Sequence, residues 1–218
     1  MVCPLCSGND LEADWLKNEQ RKEEKYFFCN NCELIFLDSS FFLSPEEEKR
    51  RYQQHDNSLK NQGYVSMFEN FIDRAVMDFI VPPAKALDFG CGPDPVLAYL
   101  LKKRGFLVSH YDPFFYPRIK GDEGSFDLIC STEVLEHVFK PISVFKSFSK
   151  LLKAQGVLSL MTHLHPGWGK FPDWWYKRDP THIVFFNRRT MEWIETGLPF
   201  RLLYCDGNKF SVFEKSEG

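Results

Sequence analysis

The sequence predicts an α/β fold: a mostly parallel sheet with helices on its flanks, and a small cysteine-bearing ribbon ahead of it. Three observations carry that reading. Between residues 84 and 161, short apolar runs alternate with stretches of helical periodicity, the pattern of βαβ units joined by right-handed crossovers. The first of those runs, "ALDFGCGPDP", ends in a glycine turn, at the sheet edge where such folds take their ligands. Four of the seven cysteines fall into two C-x-x-C pairs within the first 32 residues. The divisions that follow are 1–40 for the ribbon, 41–83 for a helical cap or linker, and 84–218 for the sheet domain, with an aromatic lid at about 163–187.

In the ribbon, Cys3 and Cys6 form one knuckle ("CPLC") and Cys29 and Cys32 the other ("CNNC"). Two such turns supply the tetrahedral thiolate cage that zinc prefers, and a closed four-thiolate set leaves no open position for chemistry, so the ion is structural. "YFFC" and "ELIFL" have strand character around the second pair. A redox dithiol is the competing reading, but it requires a βαβ context that this stretch lacks. Cys91, Cys130 and Cys205 lie in or beside apolar runs and read as buried thiols.

The next stretch is helical. "SPEEEKRRY" offers Ser44 as N-cap, Pro45 at the first helical position and acids in the first turn. "YVSMFENFIDRAVMDFI" puts Phe68, Phe71, Ile72, Ala75, Val76 and Phe79 on one face, and the prolines at 82 and 83 end it. Between these helices Tyr52, His55 and Asn57 are candidates for closing over a ligand, or are a solvated helix end. Strands are expected at "KALDFG", "FLVSHYD", "SFDLICST" and "VLSLMT", and helices at "PVLAYLLKKRG" and "KPISVFKSFSKLLKAQG".

Bulk properties limit the partners. A net charge of −3 gives no global attraction to phosphate backbones and argues against nucleic acid as the main partner. No apolar run approaches the roughly 20 residues of a membrane span, and "MVCPLCSGND" has neither the basic nor the apolar region of a signal peptide, so the expected compartment is cytoplasmic and reducing. Aromatic residues reach 16%, with 22 Phe, which implies an aromatic core or a stacked flat ligand.

The glycine turn selects among ligands. No Lys-Ser or Lys-Thr follows it, as a triphosphate loop requires, and Pro93, Asp94 and Pro95 stand where a dinucleotide site has its third glycine. Asp88 would repel a pyrophosphate but accept from an ammonium group. Asp112, about 20 residues past Gly92, closes the next strand where a carboxylate can take both hydroxyls of a ribose. A sulfonium nucleoside with an amino-acid tail suits this charge pattern best.

"LDFGCGPDP", "YDPFF", "FDLICSTEVLEHV", "LLKAQGVLSLMT" and "YKRDPTHIVFF" together resemble class I S-adenosylmethionine-dependent methyltransferases of a bacterial branch with an N-terminal cysteine ribbon. The resemblance implies that Gly90 and Gly92 lie under the cofactor's methionine part, that Asp112 binds ribose, and that Thr132 and Glu133, after the fourth strand, face the methyl group. It would place Asp122 at the adenine amine. The sequence departs from the family at Asp94, in place of a glycine, and in the short stretch from Phe114 to Ser125, which leaves little room for a third strand and its helix.

The expected acceptor is a small molecule, held by Tyr52, His55, His163, Trp174 and Tyr176, with His182, Asp179 and His137 as proton-handling groups because imidazole titrates near working pH. His137 reads equally as a structural histidine, Glu133 and Glu136 as acids at a helix start, and "DPTH" as a plain turn and cap. The lid histidines fit no standard metal spacing. An RNA or protein methyltransferase using the ribbon for recognition, or a non-catalytic S-adenosylmethionine-binding module, are the alternatives.

Overall fold

The structure, a computed structural model, describes residues 1–18, 21–52, 58–119 and 123–216. Its centre is a six-stranded sheet in the order β5-β4-β6-β7-β10-β9, formed by β4 (Lys85–Phe89), β5 (Leu107–Tyr111), β6 (Phe126–Thr132), β7 (Leu152–Met161), β9 (Phe200–Cys205) and β10 (Phe210–Lys215). The first four strands run parallel, while β10 lies antiparallel between β7 and β9. No strand stands between β5 and β6 among the described residues, in keeping with the short stretch noted there.

Both sheet faces are covered, so the central strands carry apolar residues on each side. Ala86, Leu128 and Cys130 face α2 (Gln62–Ala75) and α3 (Val96–Lys103). Leu87 and Ile129, one residue along, face α4 (Pro141–Leu151), α5 (Arg188–Gly197) and the ribbon. The chain reaches this sheet through α1 (Pro45–Tyr52), which opens on a capping box: Ser44 Oγ accepts from Glu47 N, and Glu47 Oε2 accepts from Ser44 N.

Two helices stop earlier than their apolar periodicity suggests. α2 ends at Ala75, leaving Val76 to cap it and Phe79 beyond it in a turn. α4 ends at Leu151, because Leu152 pairs with Phe126 and already belongs to β7; the strand then makes an irregular excursion through Gln155 (φ 60°) before Val157 pairs with Leu128. In both places sheet pairing or packing overrides the helical pattern.

The ribbon is a second sheet of four strands, β1 (Leu11–Lys17), β2 (Glu23–Cys29), β3 (Ile35–Leu37) and β8 (Val184–Phe185). Its last strand comes from the aromatic segment, not from the first 40 residues. That corrects the expected lid at 163–187. The segment forms two short 3₁₀ turns, Trp168–Asp173 and Trp175–Arg178, and its Phe171, Phe185 and Phe186 are fully buried in one apolar cluster with Tyr26, Leu34 and Ile35 of the ribbon. Alternating large aromatics gain more by burial against the ribbon than they would by hovering over a pocket. The segment therefore packs as a wall between ribbon and sheet. No helix among the described residues is long and apolar enough to cross a membrane.

Candidate active site and cysteine centre

The two cysteine knuckles have the same backbone. Cys3 N donates to Gly8 O at 2.9 Å as Cys29 N does to Leu34 O at 3.0 Å; Ser7 N donates to Cys3 O as Glu33 N does to Cys29 O. Ser7 and Glu33 take equivalent left-handed conformations, at φ 61° and 59°. This repeat brings all four sulfurs within 4.8 Å of one another, with Cys3–Cys32 at 3.6 Å and Cys6–Cys29 at 3.5 Å. A tetrahedron with bonds of about 2.3 Å has edges of about 3.8 Å, so the sulfurs already stand as zinc thiolates would.

At the carboxyl ends of β4, β5 and β6 lies a cavity of about 660 Å³. One end is the glycine turn. Gly90 (φ 83°) and Gly92 (φ 67°) are both left-handed, and Gly90 N and Cys91 N donate to Tyr111 O at the end of β5. Asp112 ties the turn to the next loop: its Oδ2 accepts from Gly92 N at 3.0 Å, and its Oδ1 accepts from Phe114 N and Phe115 N at 2.9 and 3.2 Å. A carboxylate has about four lone-pair positions. Three are thus engaged, which leaves Asp112 able to take one ribose hydroxyl and not the two expected of it.

Asp88 is placed differently from expectation. It does not line the cavity; it is buried beneath the turn, where Oδ2 accepts from Ala98 N at 3.1 Å. α3 has Pro95 at its N-cap position, with no side-chain cap to give, so the strand residue supplies it. Asp88 is therefore not the partner of a bound ammonium group. Burial, with the charge of Asp112 adding, lifts its pKa to about 7. In the unfolded chain the group loses its proton near pH 4, so between pH 4 and 7 the folded state holds the extra proton. This contribution to stability is full below the unfolded pKa and is lost as the pH rises through 7. Relative to wild type, Asp88→Asn should gain about 2–3 kcal/mol between pH 5 and pH 8, read from urea unfolding without ligand; a difference that did not change with pH would remove the buried-carboxyl account.

The other end of the cavity is built from the turn after β6 and the wall segment. Thr132, Glu133 and His137 line it from one side, and Trp175, Tyr176, Asp179, Thr181 and His182 from the other. Tyr176 is the hinge of a buried polar cluster: its hydroxyl meets Glu136 Oε1 in a short hydrogen bond and Glu133 Oε2 at 3.0 Å. The phenol has one proton to give, so contact with both carboxyls requires a proton on one of them. Burial pushes both Glu133 and Glu136 above the usual carboxylate range, consistent with that shared proton.

His182 Nδ1 meets Tyr176 O at 2.7 Å, and His137 Nδ1 meets Thr181 O at 3.0 Å. Burial, then the neighbouring His137, lowers the His182 pKa to about 3, so its ring is neutral at any working pH. Asp179 is no proton acceptor. Burial alone would raise its pKa, but Oδ1 accepts from Thr181 N and Oγ1, and Oδ2 from Arg51 Nη2 at 3.2 Å, and together these hold it at about 2. Its role is to tie α1 to the wall.

Several expected residues stand elsewhere. Trp174 packs on Phe171 and Phe185, away from the cavity, and its neighbour Trp175 lines the mouth instead. His163 sits behind Trp175 and Tyr176, against their rings. Tyr52 closes α1, while His55, Asn57 and Asp122 lie outside the described residues; from that helix Glu48 and Arg51 reach the cavity. Arg51, Thr181, Tyr64 and Val134 also line the cavity; Thr181 and Val134 lie within "DPTH" and "FDLICSTEVLEHV", whereas no local motif marks Arg51 and Tyr64.

The geometry of the glycine turn suits a nucleoside. A Cβ on Gly90 would stand 2.2 Å from Val134 Cγ2, so the backbone passes where only glycine fits, beneath a cavity large enough for such a ligand. The sequence profile of the methyltransferase-domain family matches residues 33–203. The chain belongs to that family. It is a class I methyltransferase that uses S-adenosylmethionine, with a cluster of four cysteines ahead of the catalytic fold. Solved structures of similar fold include a candidate S-adenosylmethionine-dependent methyltransferase from Methanococcus maripaludis, 16% identical, with a TM-score of 0.52 over 83% of this chain and 96% of that one. A Pyrococcus horikoshii protein is 12% identical, with a TM-score of 0.53 over 77% and 99%. A candidate sarcosine dimethylglycine methyltransferase from Galdieria sulphuraria is 14% identical, with a TM-score of 0.52 over 81% and 92%. No curated protein matches the sequence.

Proposed function

We propose that this methyltransferase transfers the methyl group to oxygen or carbon of a small acceptor molecule in the reducing cytoplasm, and that its four clustered thiolates hold one structural zinc. The observation that carries the reading is the continuity of the cavity from the glycine turn to the paired imidazoles: cofactor and acceptor would meet in one space lined by Tyr64, Phe114, Phe115, Trp175 and Tyr176. S-adenosylmethionine, when bound, supplies an already activated methyl on a sulfonium, so the chain's task is positioning and exclusion of water. Gly90 and Gly92 let the backbone approach the cofactor, Asp112 takes a ribose hydroxyl, and Thr132 and Glu133 floor the space between the two ends. Trp175, Phe114 and Phe115 offer flat apolar contact. His137 and His182 line the acceptor end, where the neutral ring of His182 can accept a hydrogen bond from the acceptor.

The test is incubation with methyl-labelled cofactor and a cell extract separated by size. Label is expected in the small-molecule fraction and should be lost in both Asp112→Ala and His182→Ala. Calorimetry separates the two: S-adenosylhomocysteine binding should weaken more than tenfold in Asp112→Ala and change less than threefold in His182→Ala. Label in RNA or protein would turn the reading to a macromolecular acceptor, with the ribbon as its recognition element. Cofactor binding without transfer to any fraction would turn it to a non-catalytic binding module.

A further inference from the structure

Charge is divided along the cavity. Asp112 and Glu133 stand toward the glycine turn, whereas the two arginines that line it, Arg51 and Arg178, stand at the acceptor end with Asp179 and His182. Arg51, in the last turn of α1, gives Nη2 to Asp179 Oδ2, and its charge is among the causes that keep the His182 ring neutral. Asp179 is committed to that contact and to Thr181, and Glu48, one turn earlier on α1, is itself engaged. Arg178 is different: it is exposed and has no hydrogen bond or ion pair among the described residues. It follows Trp175 by three positions in a 3₁₀ turn, the spacing at which side chains of such a helix eclipse, and both line the cavity. Trp175 is 55% exposed although Tyr176 beside it is buried, and the rings of His163 and Tyr176 brace the indole at 5.0 and 5.2 Å. A fixed flat ring and an unpaired guanidinium thus share one face at the mouth.

We infer that the acceptor is a planar molecule bearing an anionic group, a carboxylate or a phosphate, with Trp175 against its ring and Arg178 on its anion. The inference rests on the function proposed above and names its substrate class. A guanidinium stays charged at any working pH, and its fork of N–H donors matches two oxygens of either anion. An indole face packs against a flat ring, and one already braced loses little freedom when it does so. The two contacts together fix the acceptor's orientation: its charge stays at the mouth and the atom to be methylated points inward, past His182. The division of charge also selects between partners. The cationic cofactor meets the acids of one end and the anionic acceptor the arginines of the other, while a cationic amine would be repelled by Arg178. Trp175 and Arg178 are therefore specificity-determining residues, set apart from the groups around the methyl.

The probe is the small-molecule fraction of a cell extract, incubated with the full chain and methyl-labelled S-adenosylmethionine and resolved by anion exchange. Label is expected in a product that the exchanger retains at neutral pH. Alkaline phosphatase separates the two sources of charge: a phosphate ester loses its retention, and a carboxylate keeps it until esterified in acidic methanol. Arg178→Gln should raise the amount of extract needed for half-maximal labelling about tenfold, the effect of one lost hydrogen bond to a charged group, and leave the plateau within about twofold. Arg178→Lys should recover most of that loss, and Trp175→Leu should weaken labelling where Trp175→Phe does so less. Both side chains are exposed, so neither change burdens folding, and S-adenosylhomocysteine affinity should change less than threefold in all four. Label in a neutral or cationic product, or half-maximal labelling unchanged in both Arg178→Gln and Trp175→Leu, overturns this inference alone. Label in RNA or protein, or in nothing, overturns the function proposed above and this inference with it.

Discussion

Gly90→Ala is expected to weaken S-adenosylhomocysteine binding more than a hundredfold. Two costs add at this position. The left-handed backbone, at φ 83°, costs a side-chain-bearing residue about 1–2 kcal/mol. The larger cost is contact: the new methyl would stand 2.2 Å from Val134 Cγ2 and 3.1 Å from Cγ1, and Val134 lies in the turn that follows β6. The turn must move, and with it the amides that Asp112 holds. A loss of affinity beyond a hundredfold, with unfolding at a lower urea concentration, is the expected result. Val134→Ala in the same background removes both offending methyls and should restore part of the binding, because the backbone cost and a 3.2 Å contact with the Cβ of residue 134 then remain. Calorimetry of the single and double variants checks it; equal affinity in Gly90→Ala and wild type would show that the turn does not border the nucleoside.

Loss of the proposed zinc from the cysteine cluster is expected to have the other large effect. Structural zinc in four-thiolate sites is worth on the order of 10 kcal/mol, comparable to the whole stability of a domain. Here the ribbon does not unfold alone. Glu33 O accepts from His165 Nε2 at 3.0 Å, Glu33 Oε2 accepts from Asn187 at 2.8 Å, and Lys177 Nζ reaches Lys17 O at 3.2 Å, so the wall of the acceptor end is fastened to the second knuckle and to β1. Metal analysis should find one zinc per chain, and Cys29→Ser or prolonged chelation should remove methyl transfer and lower the melting temperature by tens of degrees. Purified protein without metal that melts at the same temperature as the metal-bound form would end the zinc assignment.

Much of the framework was legible because it is local. The knuckles, the βαβ alternation, the glycine turn and the capping of α1 each depend on residues within a few positions of one another. What escaped is non-local or hidden by a second use. Asp88 and Asp112 close adjacent strands with the same chemistry, yet one lies under the turn as a cap and only the other faces the cavity; spacing does not distinguish them. The crowded aromatics of 163–187 read as a lid because polarity and glycine suggest a loop, whereas their partners, Tyr26 and Ile35, lie far back in the chain. The β9–β10 hairpin does carry a local sign, "CDGN" between apolar runs, with Asp206 Oδ1 accepting from three following amides.

The pairing of β3 with β8 bears on how this polypeptide comes to be made. The cysteine knuckles emerge early in synthesis, but the sheet that contains them is finished only when residues near 185 are available. Closure across so long a stretch of sequence is entropically slow, and the nascent arm must keep its aromatic side chains uncovered in the meantime. Excising or transplanting residues 1–40 would yield an unfinished β-layer on one piece and an exposed groove on the other.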